Sequence, residues 1–442
     1  MDKPPAREVR VPRRPYNPAV ISLSEALTIL AAAVSPAAAE DVPLSGSLGR
    51  VLARDLRSDV DWPPFDTSAM DGYAVRLADA RGGSAVRERP ERVAAGDPPG
   101  APLSPGEVVR IMTGAPLPAN TEAVVPVERS QREGGFVSFT VAPEAGAHIR
   151  RRGESIAAGS LLVARGRRLR PPDIALAALA GADPVSVFRA PRITVAATGN
   201  EVVRGSQAPA PGHLRDSNGP MLLAECAARG WTARRGPSVP DDPAAVAELF
   251  AAAGAAEDFL VTTGGVSAGD LDLLPAAAAA AGFEMLFHGV AIRPGKPTAF
   301  ARRGSTFWLG LPGNPVAASV AFHLLAREAL GRFEGDSDPG PARISARLES
   351  ALPAPGERDR FFDAVCVCVW SSAGSELRVS PLRSSGSHDL AAYARANALV
   401  HCPAGSPARA PGERVSCGLL DRPATEPDGP LTPAPARDPA GR

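Results

Sequence analysis

The spacing of apolar and polar positions along this 442-residue chain changes several times. Ser22 and Glu25 have capping-box spacing, and Ala26, Leu27, Ile29, Leu30 and Val34 then form one helical face before Pro36. From Val51 to about Ala147 the pattern becomes short apolar runs, such as Val108 to Met112 and Ala123 to Val127. Gly and Pro clusters separate them, which predicts a small β-rich region. Pro171, Pro172 and Asp173 open a helix that Gly181 closes. Beyond that point strands and helices alternate. Strands are expected at Arg192 to Ala197, Phe259 to Thr263, Phe283 to Phe287, Thr298 to Ala301 and Thr306 to Leu311. Helices are expected at Asn218 to Ala228, Ala244 to Ala253, Leu271 to Ala281 and Val316 to Leu330. That order argues for a three-layer α/β/α region around a mostly parallel sheet. Asp336 to Gly340 reads as a linker, Ile344 to about Cys417 as a second small β region, and the proline-rich segment 421–442 as a disordered tail. The fold class is therefore multidomain α/β plus β, with the α/β region flanked by small β-rich domains.

Charge and composition remove several function classes. Lys+Arg and Asp+Glu are both 48, so no global basic field invites nucleic acid or an anionic membrane, and any anion must be held locally. The five cysteines include no CxxC pair, which indicates neither a disulfide framework nor a structural zinc site. No long apolar run is present and the N-terminal segment is rich in Pro and Arg, so a soluble, cytoplasmic protein is expected. Lys3 and Lys296 are the only lysines among the 48 basic residues.

Three glycine-rich loops are expected where strands of the α/β region hand over to helices: Ala197 to Glu201, Thr262 to Ser267, and Leu311 to Pro315. Glycine lets backbone N–H groups converge, hydroxyls add donors, and a helix N-terminus favours an anion. Gly289 to Lys296 is not a P-loop, since Pro297 stands where the magnesium-binding hydroxyl belongs. Gly265 to Gly269 fits G-x-S-x-G, so a serine hydrolase using Ser267, with His288, His323 or His388 as base, is a remote alternative. In the segment Arg293 to Pro297, Lys296 sits between prolines that stiffen the backbone, beside an arginine, which suits a tetrahedral oxyanion or a phosphate. Asp71, Glu201, Asp241 and Asp272 offer hard oxygens of the kind magnesium uses, although singly each suits a cap or turn, Asp241 being a plausible helix cap.

At these residues the sequence resembles the molybdopterin molybdenumtransferase family, which includes the E domain of gephyrin. The blocks that carry the resemblance are Pro64 to Val75, Ala95 to Asp97, Ile111 to Ala115, Arg152 to Glu154, Leu214 to Asn218, Thr263 to Ser267, Arg293 to Pro297 and Gly310 to Pro315. The resemblance implies a homodimer whose active cleft joins the α/β domain of one subunit to the N-terminal β-rich domain of the other. It implies four domains: a discontinuous helical and linker domain (18–52 and 147–190), an inserted β-rich domain (53–146), an α/β molybdopterin-binding domain (191–335) and a C-terminal β domain (341–420). The implied reaction inserts molybdenum from molybdate into adenylylated molybdopterin, releasing AMP and forming molybdenum cofactor, with Mg2+. The resemblance assigns Asp71, Thr113, Glu201, Asp241, Asp272 and Lys296 to the chemistry, with the four acids holding the metal. It assigns Arg293, Lys296 and Pro297 to the oxyanion. Thr262, Thr263, Gly264, Gly265 and Ser267, together with Pro312, Gly313, Asn314 and Ser387, go to the pterin or nucleotide.

An upstream molybdopterin adenylyltransferase and acceptor molybdoenzymes are the implied partners, with no nucleic acid and no membrane. The chain departs from the family pattern at Gly289, Ala317, Asp363, Leu273 and Ser385. Three of these, Gly289, Ala317 and Asp363, remove oxyanion donors, with Arg358 or Arg360 as neighbouring substitutes. The alternative is a catalytically weakened paralogue that binds molybdopterin or acts as a scaffold protein.

Overall fold

The computed structural model describes residues 19–81, 83–205, 208–254, 257–266, 273–371 and 374–425. The proposed tail, Ser267 and Asp272 lie outside the described residues, apart from 421–425 of the tail. The chain forms two compact units, one of residues 1–40, 49–51 and 188–442, the other of 41–48 and 52–187.

In the first unit, helix α1 (Leu23–Ala33) starts as its sequence requires. The Ser22 side chain accepts from the Glu25 N–H and the Glu25 carboxylate accepts from the Ser22 N–H. Ala26 and Leu30 are fully buried.

The main sheet of the second unit has six strands, β1 (Gly72–Val75), β2 (Ala85–Val93), β3 (Glu107–Ile111), β4 (Ala123–Pro126), β5 (Ser130–Glu133) and β6 (Phe136–Phe139). They form one sheet in the order β4-β1-β3-β2-β6-β5, with Tyr73, Val75, Val108, Val125, Val137 and Phe139 in its core. Helix α2 (Pro171–Leu179) begins on the two prolines and is followed by Gly181 at φ +66°.

The α/β part of the first unit consists of β7 (Ile193–Thr198), α3 (Asn218–Ala228), β8 (Ala233–Val239), α4 (Pro243–Ala252), β9 (Phe259–Thr263), α5 (Leu274–Ala280), β10 (Glu284–His288), β11 (Ile292–Arg293), β12 (Ala299–Arg303), β13 (Thr306–Leu311), α6 (Pro315–Ala321) and α7 (Arg327–Phe333). The sheet order is β8-β7-β9-β13-β12-β10. It is parallel from β8 to β13 and antiparallel through β12 and β10, so the sheet is mixed, with its parallel strands together. Alternation sends Ile193, Val195, Phe259, Val261, Phe307 and Leu309 to one face, under α1, α3, α6 and α7. Ala196, Leu260 and Trp308 go to the other, under α4 and α5.

Two expectations from the sequence are corrected here. β8 was not anticipated, because it is an edge strand in which only Gly236 and Val239 are buried, and Arg234, Arg235 and Pro237 hide any alternation. The single helix expected over Val316 to Leu330 is instead interrupted by a π turn at Phe322–Ala326. Buried His323 lies in that turn and bonds Glu225 at 3.0 Å.

The C-terminal strands are β14 (Arg343–Leu348), β15 (Asp359–Ser371), β16 (Gly374–Pro381), β17 (Ala398–Cys402), β18 (Arg414–Leu419) and β19 (Ala424–Thr425), with the short helix α8 (Leu390–Tyr393) before β17. The path β15-β16-β14-β18-β17 closes back on β15, forming a small barrel, and β11 adds to the outside of β15. Cys366, Cys402 and Cys417 fill this barrel's core, where burial pushes the Cys417 thiol up to about 12. These cysteines pack as small apolar groups.

Candidate functional site

Strands β7, β9 and β13 are neighbours and parallel, so their carboxyl ends open on one edge of the sheet, where ligands of such sheets bind. All three glycine-rich loops meet there. The Thr198 hydroxyl donates to the Thr263 carbonyl at 3.1 Å, the Gly264 N–H donates to the Leu311 carbonyl at 3.1 Å, and the Asn218 amide donates to the Gly313 carbonyl at 2.7 Å. Gly264 has φ +90°, and a Cβ there would sit 2.7 Å from the Thr198 carbonyl oxygen, so only glycine lets the loops approach this closely. The Asn218 Oδ1 atom is buried without a hydrogen-bond partner among the described residues, an acceptor left for a donor from a bound molecule.

The structure revises two roles read from sequence. Adjacent residues of a strand face opposite ways, and Thr262 is turned into the core, where its hydroxyl accepts from the Trp308 indole N–H at 2.9 Å. Its hydroxyl is thereby committed to the core. The loop Ala197 to Glu201 does not lead directly into a helix. It enters a short strand, Val202–Val203, paired with Leu214–Arg215, before α3 begins at Asn218.

Among the acids, Asp242 and not Asp241 caps α4, accepting from the Ala244 and Ala245 N–H groups at 3.1 and 2.9 Å. Asp241 is tied instead to Asn200. The Asn200 N–H donates to its carboxylate at 3.3 Å, and the Asp241 N–H donates to the Asn200 side-chain oxygen at 3.0 Å. Glu201 folds back beside Gly199, where a Cβ would lie 2.5 Å from its carboxylate. Glu201 and Asp241 thus flank one loop on the ligand edge of the sheet. In the second unit, Asp71 Oδ1 accepts both the N–H and the hydroxyl of Thr113 at 2.7 Å each. These bonds hold the Asp71 carboxyl below its ordinary range and leave Oδ2 outside that pairing. Among the described residues no group of three His, Cys, Asp or Glu side chains converges. Hard carboxylate oxygens that stay ionised do suit magnesium, which takes one or two carboxylates and completes its shell with water and substrate oxygens.

The second feature is a cavity of about 1080 Å³ within the first unit, lined by Arg293, Lys296, Pro297, Pro312, Asn314, Ala317, Arg358, Arg360, Asp363, Arg383, Ser387 and His388, among others. Gly295 permits the turn at φ +114°, while Pro294, Pro297 and the bond from the Thr298 hydroxyl to the Gly295 carbonyl at 2.7 Å hold the segment that carries Lys296. Asn314, at the start of α6, donates its amide to the Ser387 hydroxyl at 2.9 Å, and the Val316 N–H donates to the Ser387 carbonyl at 3.0 Å. The loops after β13 and before α8 are thereby fixed to one another. Among the described residues none of Arg293, Lys296, Arg358, Arg360 and Arg383 takes part in a salt bridge, whereas Arg189, Arg192, Arg234 and Arg235 are all paired to acids. A group of uncompensated cations around one cavity is a site for an anion. Its single acid, Asp363, is 9% exposed, and burial together with the Asp389 charge pushes it up to about 6.

One cavity residue, Arg383, was not singled out in the sequence: it comes from the barrel region, and nothing local marks one arginine among so many. His388, weighed in the sequence only as a base for Ser267, lines this cavity instead. The positions where the sequence departs from the family also acquire a physical meaning. Gly289 adopts φ +96°, a conformation L side chains rarely take, so a lysine does not simply fit back there. Ala317 presents a methyl group to the cavity. Ser385 donates its N–H and hydroxyl to Asp389, each at 3.0 Å, and Leu273 lies at the start of α5.

A mixed α/β sheet with converging loops, joined to a small barrel and a cationic cavity, defines a class of anion-handling enzyme. Comparison with known proteins narrows the class to molybdenum cofactor biosynthesis. Residues 21–181 match the MoeA N-terminal region (domain I and II), 194–332 a probable molybdopterin binding domain, and 345–420 the MoeA C-terminal region (domain IV). The molybdopterin molybdenumtransferase of Bacillus subtilis is 36% identical over 394 residues, covering 86% of this chain and 90% of that protein. That of Synechococcus elongatus is 38% identical over 326 residues, 70% of this chain and 80% of that protein. A crystal structure of the molybdopterin biosynthesis MoeA protein of Pyrococcus horikosii superposes with a TM-score of 0.75 at 30% identity, covering 91% of this chain and all of that one. The chain belongs to the molybdopterin molybdenumtransferase family and is an enzyme of molybdenum cofactor biosynthesis.

Proposed function

We propose that this enzyme inserts molybdenum from molybdate into adenylylated molybdopterin, releasing AMP and forming molybdenum cofactor. The observation that carries the reading is the set of unpaired cations around the cavity, centred on Arg293 and Lys296. Molybdate is a tetrahedral dianion, and its oxygens match a compact ammonium beside a planar guanidinium. Pro294 and Pro297 stiffen the segment, so the two charges need less ordering when the anion arrives. Asn314, Ser387, Pro312 and Gly313 form the rim that would receive the pterin. Thr263, Gly264 and Gly265 turn at the sheet edge to receive its phosphate, with Ser267 assigned to the same role through the family resemblance. Each of Asp71, Glu201, Asp241 and Asp272 is a candidate Mg2+ ligand through the family resemblance, and the metal would polarise the phosphoanhydride when bound. Thr113 fixes the orientation of Asp71 and keeps it ionised at neutral pH. The chemistry the chain itself supplies is electrostatic positioning of two anionic substrates.

The same reading proposes a homodimer in the cytoplasm, fed by an upstream molybdopterin adenylyltransferase and serving acceptor molybdoenzymes. It also proposes the four-domain division given above. Incubation of the purified protein with adenylylated molybdopterin, magnesium and molybdate should release AMP and reconstitute a cofactor-free molybdoenzyme. Light scattering of the same preparation should give twice the chain mass. Gly289, Ala317 and Asp363 together favour a second reading, a weakened paralogue that binds molybdopterin without turnover. Nucleotide binding with no AMP release would select it.

A further inference from the structure

The proposed oxyanion site rests on Arg293 and Lys296, yet the cavity contains a further cation placed more strictly than its neighbours. The two-residue strand β11 runs parallel to β15, with Ile292 opposite Asp359 and Arg293 opposite Arg360. Paired residues on parallel neighbours project to the same face about 5 Å apart, and both of these side chains line the cavity. Arg360 is further held by its own strand. Phe362, two residues on and therefore on the same face, lies beneath its guanidinium at 4.3 Å from the ring centroid. Arg358 also lines the cavity, but it precedes β15 and has neither the register partner nor the aromatic platform.

Two like charges side by side are unfavourable unless something neutralises them. Burial and then the charge of Arg293 hold the Arg360 guanidinium below its ordinary range. No acid answers either one among the described residues. The carboxylates close to β15 are engaged elsewhere: Asp359 faces His401 at 3.1 Å, and Asp363 is buried beside Asp389. A dianion between the two guanidinium groups would neutralise both.

We propose that Arg360 is a specificity-determining residue of the oxyanion site, pairing with Arg293 to clamp the tetrahedral dianion and supplying the donors that Gly289 and Ala317 do not. This rests on the functional reading above, and the test separates the two. Equilibrium dialysis with molybdate alone on the full chain would compare the natural protein with Arg360→Ala, Arg360→Gln, Arg360→Lys and Lys296→Ala. Loss of one charge-assisted contact should weaken molybdate binding about tenfold or more in Arg360→Ala and Arg360→Gln, with Arg360→Lys recovering part of it. In turnover, the KM for molybdate should rise while the KM for the pterin substrate stays near its natural value. Thermal unfolding without molybdate should be unchanged or slightly higher in Arg360→Gln, because the repulsion from Arg293 is relieved. A stability that does not fall while molybdate binding does excludes a merely structural role. If Arg360→Gln binds molybdate as the natural protein does while Lys296→Ala does not, this proposal falls and the functional reading stands. If neither variant loses molybdate, the functional reading falls with it.

Discussion

Arg293 and Arg360 are register partners on two parallel strands, and both turn into one cavity where no acid pairs with either among the described residues. They are 67 positions apart in sequence. Their adjacency follows from β11, two residues long, adding to the outside of the barrel strand β15.

Lys296 is the first residue to test. Lys296→Ala should raise the molybdate concentration needed for half-maximal turnover by about 10- to 100-fold, the value of a lost charge-assisted contact. Its exposed side chain supports no core contact, so the melting temperature should move little. An unchanged molybdate dependence in the folded variant would refute the role.

Asp363 predicts a pH dependence. Its carboxyl is pushed up to about 6 from an ordinary 3.8. Below pH 4 both folded and unfolded states are protonated and the group is neutral to stability. Between pH 4 and 6 the unfolded chain loses its proton while the folded one keeps it, so stability falls as pH rises, and above pH 6 the loss is constant. Asp363→Asn should therefore stabilise by roughly 2 kcal/mol at pH 7.5 and by almost nothing at pH 4. Denaturant unfolding at the two values checks it, and an equal gain at both would contradict the assignment.

Asp258 predicts the opposite slope. It is 5% exposed and accepts from Arg189 at 2.8 and 3.1 Å and from Arg192 at 2.9 Å. Although burial alone would raise it, these bonds hold its carboxyl well below the usual range. Its contribution is full above about pH 4 and is lost as pH falls through the lowered folded value. Asp258→Ala removes the buried acceptor that two partly exposed arginines share and should cost about 2 kcal/mol at neutral pH. A loss under 1 kcal/mol in urea unfolding would show that the pair is not important to the fold.

Gly264→Ala tests the loop junction. The new Cβ would meet the Thr198 carbonyl at 2.7 Å from a backbone at φ +90°. A cost of about 1–3 kcal/mol is expected, with weaker nucleotide binding because the loop must shift. Wild-type affinity in a destabilised variant would place the phosphate elsewhere.

Much of this protein follows from local patterns. The capping box at Ser22, the prolines that open α2 and α6, and the alternation that separates Val261 from Leu260 are all decided within a few residues. Helix α3 and strand β9 accordingly span the residues expected of them. The glycine-rich loops and the Arg293 to Pro297 segment were legible for the same reason, since Gly permits backbone conformations closed to other residues and Pro fixes φ wherever it stands. Edge strand β8 escaped because only burial gives a strand its period, and an edge strand of this kind is scarcely buried.

Other properties depend on long-range placement. Thr262 and Thr263 are equivalent in the sequence, and only the Trp308 indole on the neighbouring strand determines which hydroxyl is committed to the core. Asp241 and Asp242 are likewise ambiguous until the helix axis selects Asp242 as the cap. The arginines of the cavity are indistinguishable from many others in the chain until β11 joins β15. The sequence by itself determined the elements, the family and Lys296 as a singular charge, because these depend on residue type and near spacing. Tertiary structure alone decided which cations share a cavity without acids, because charge neutralisation depends on distance in space and not along the chain.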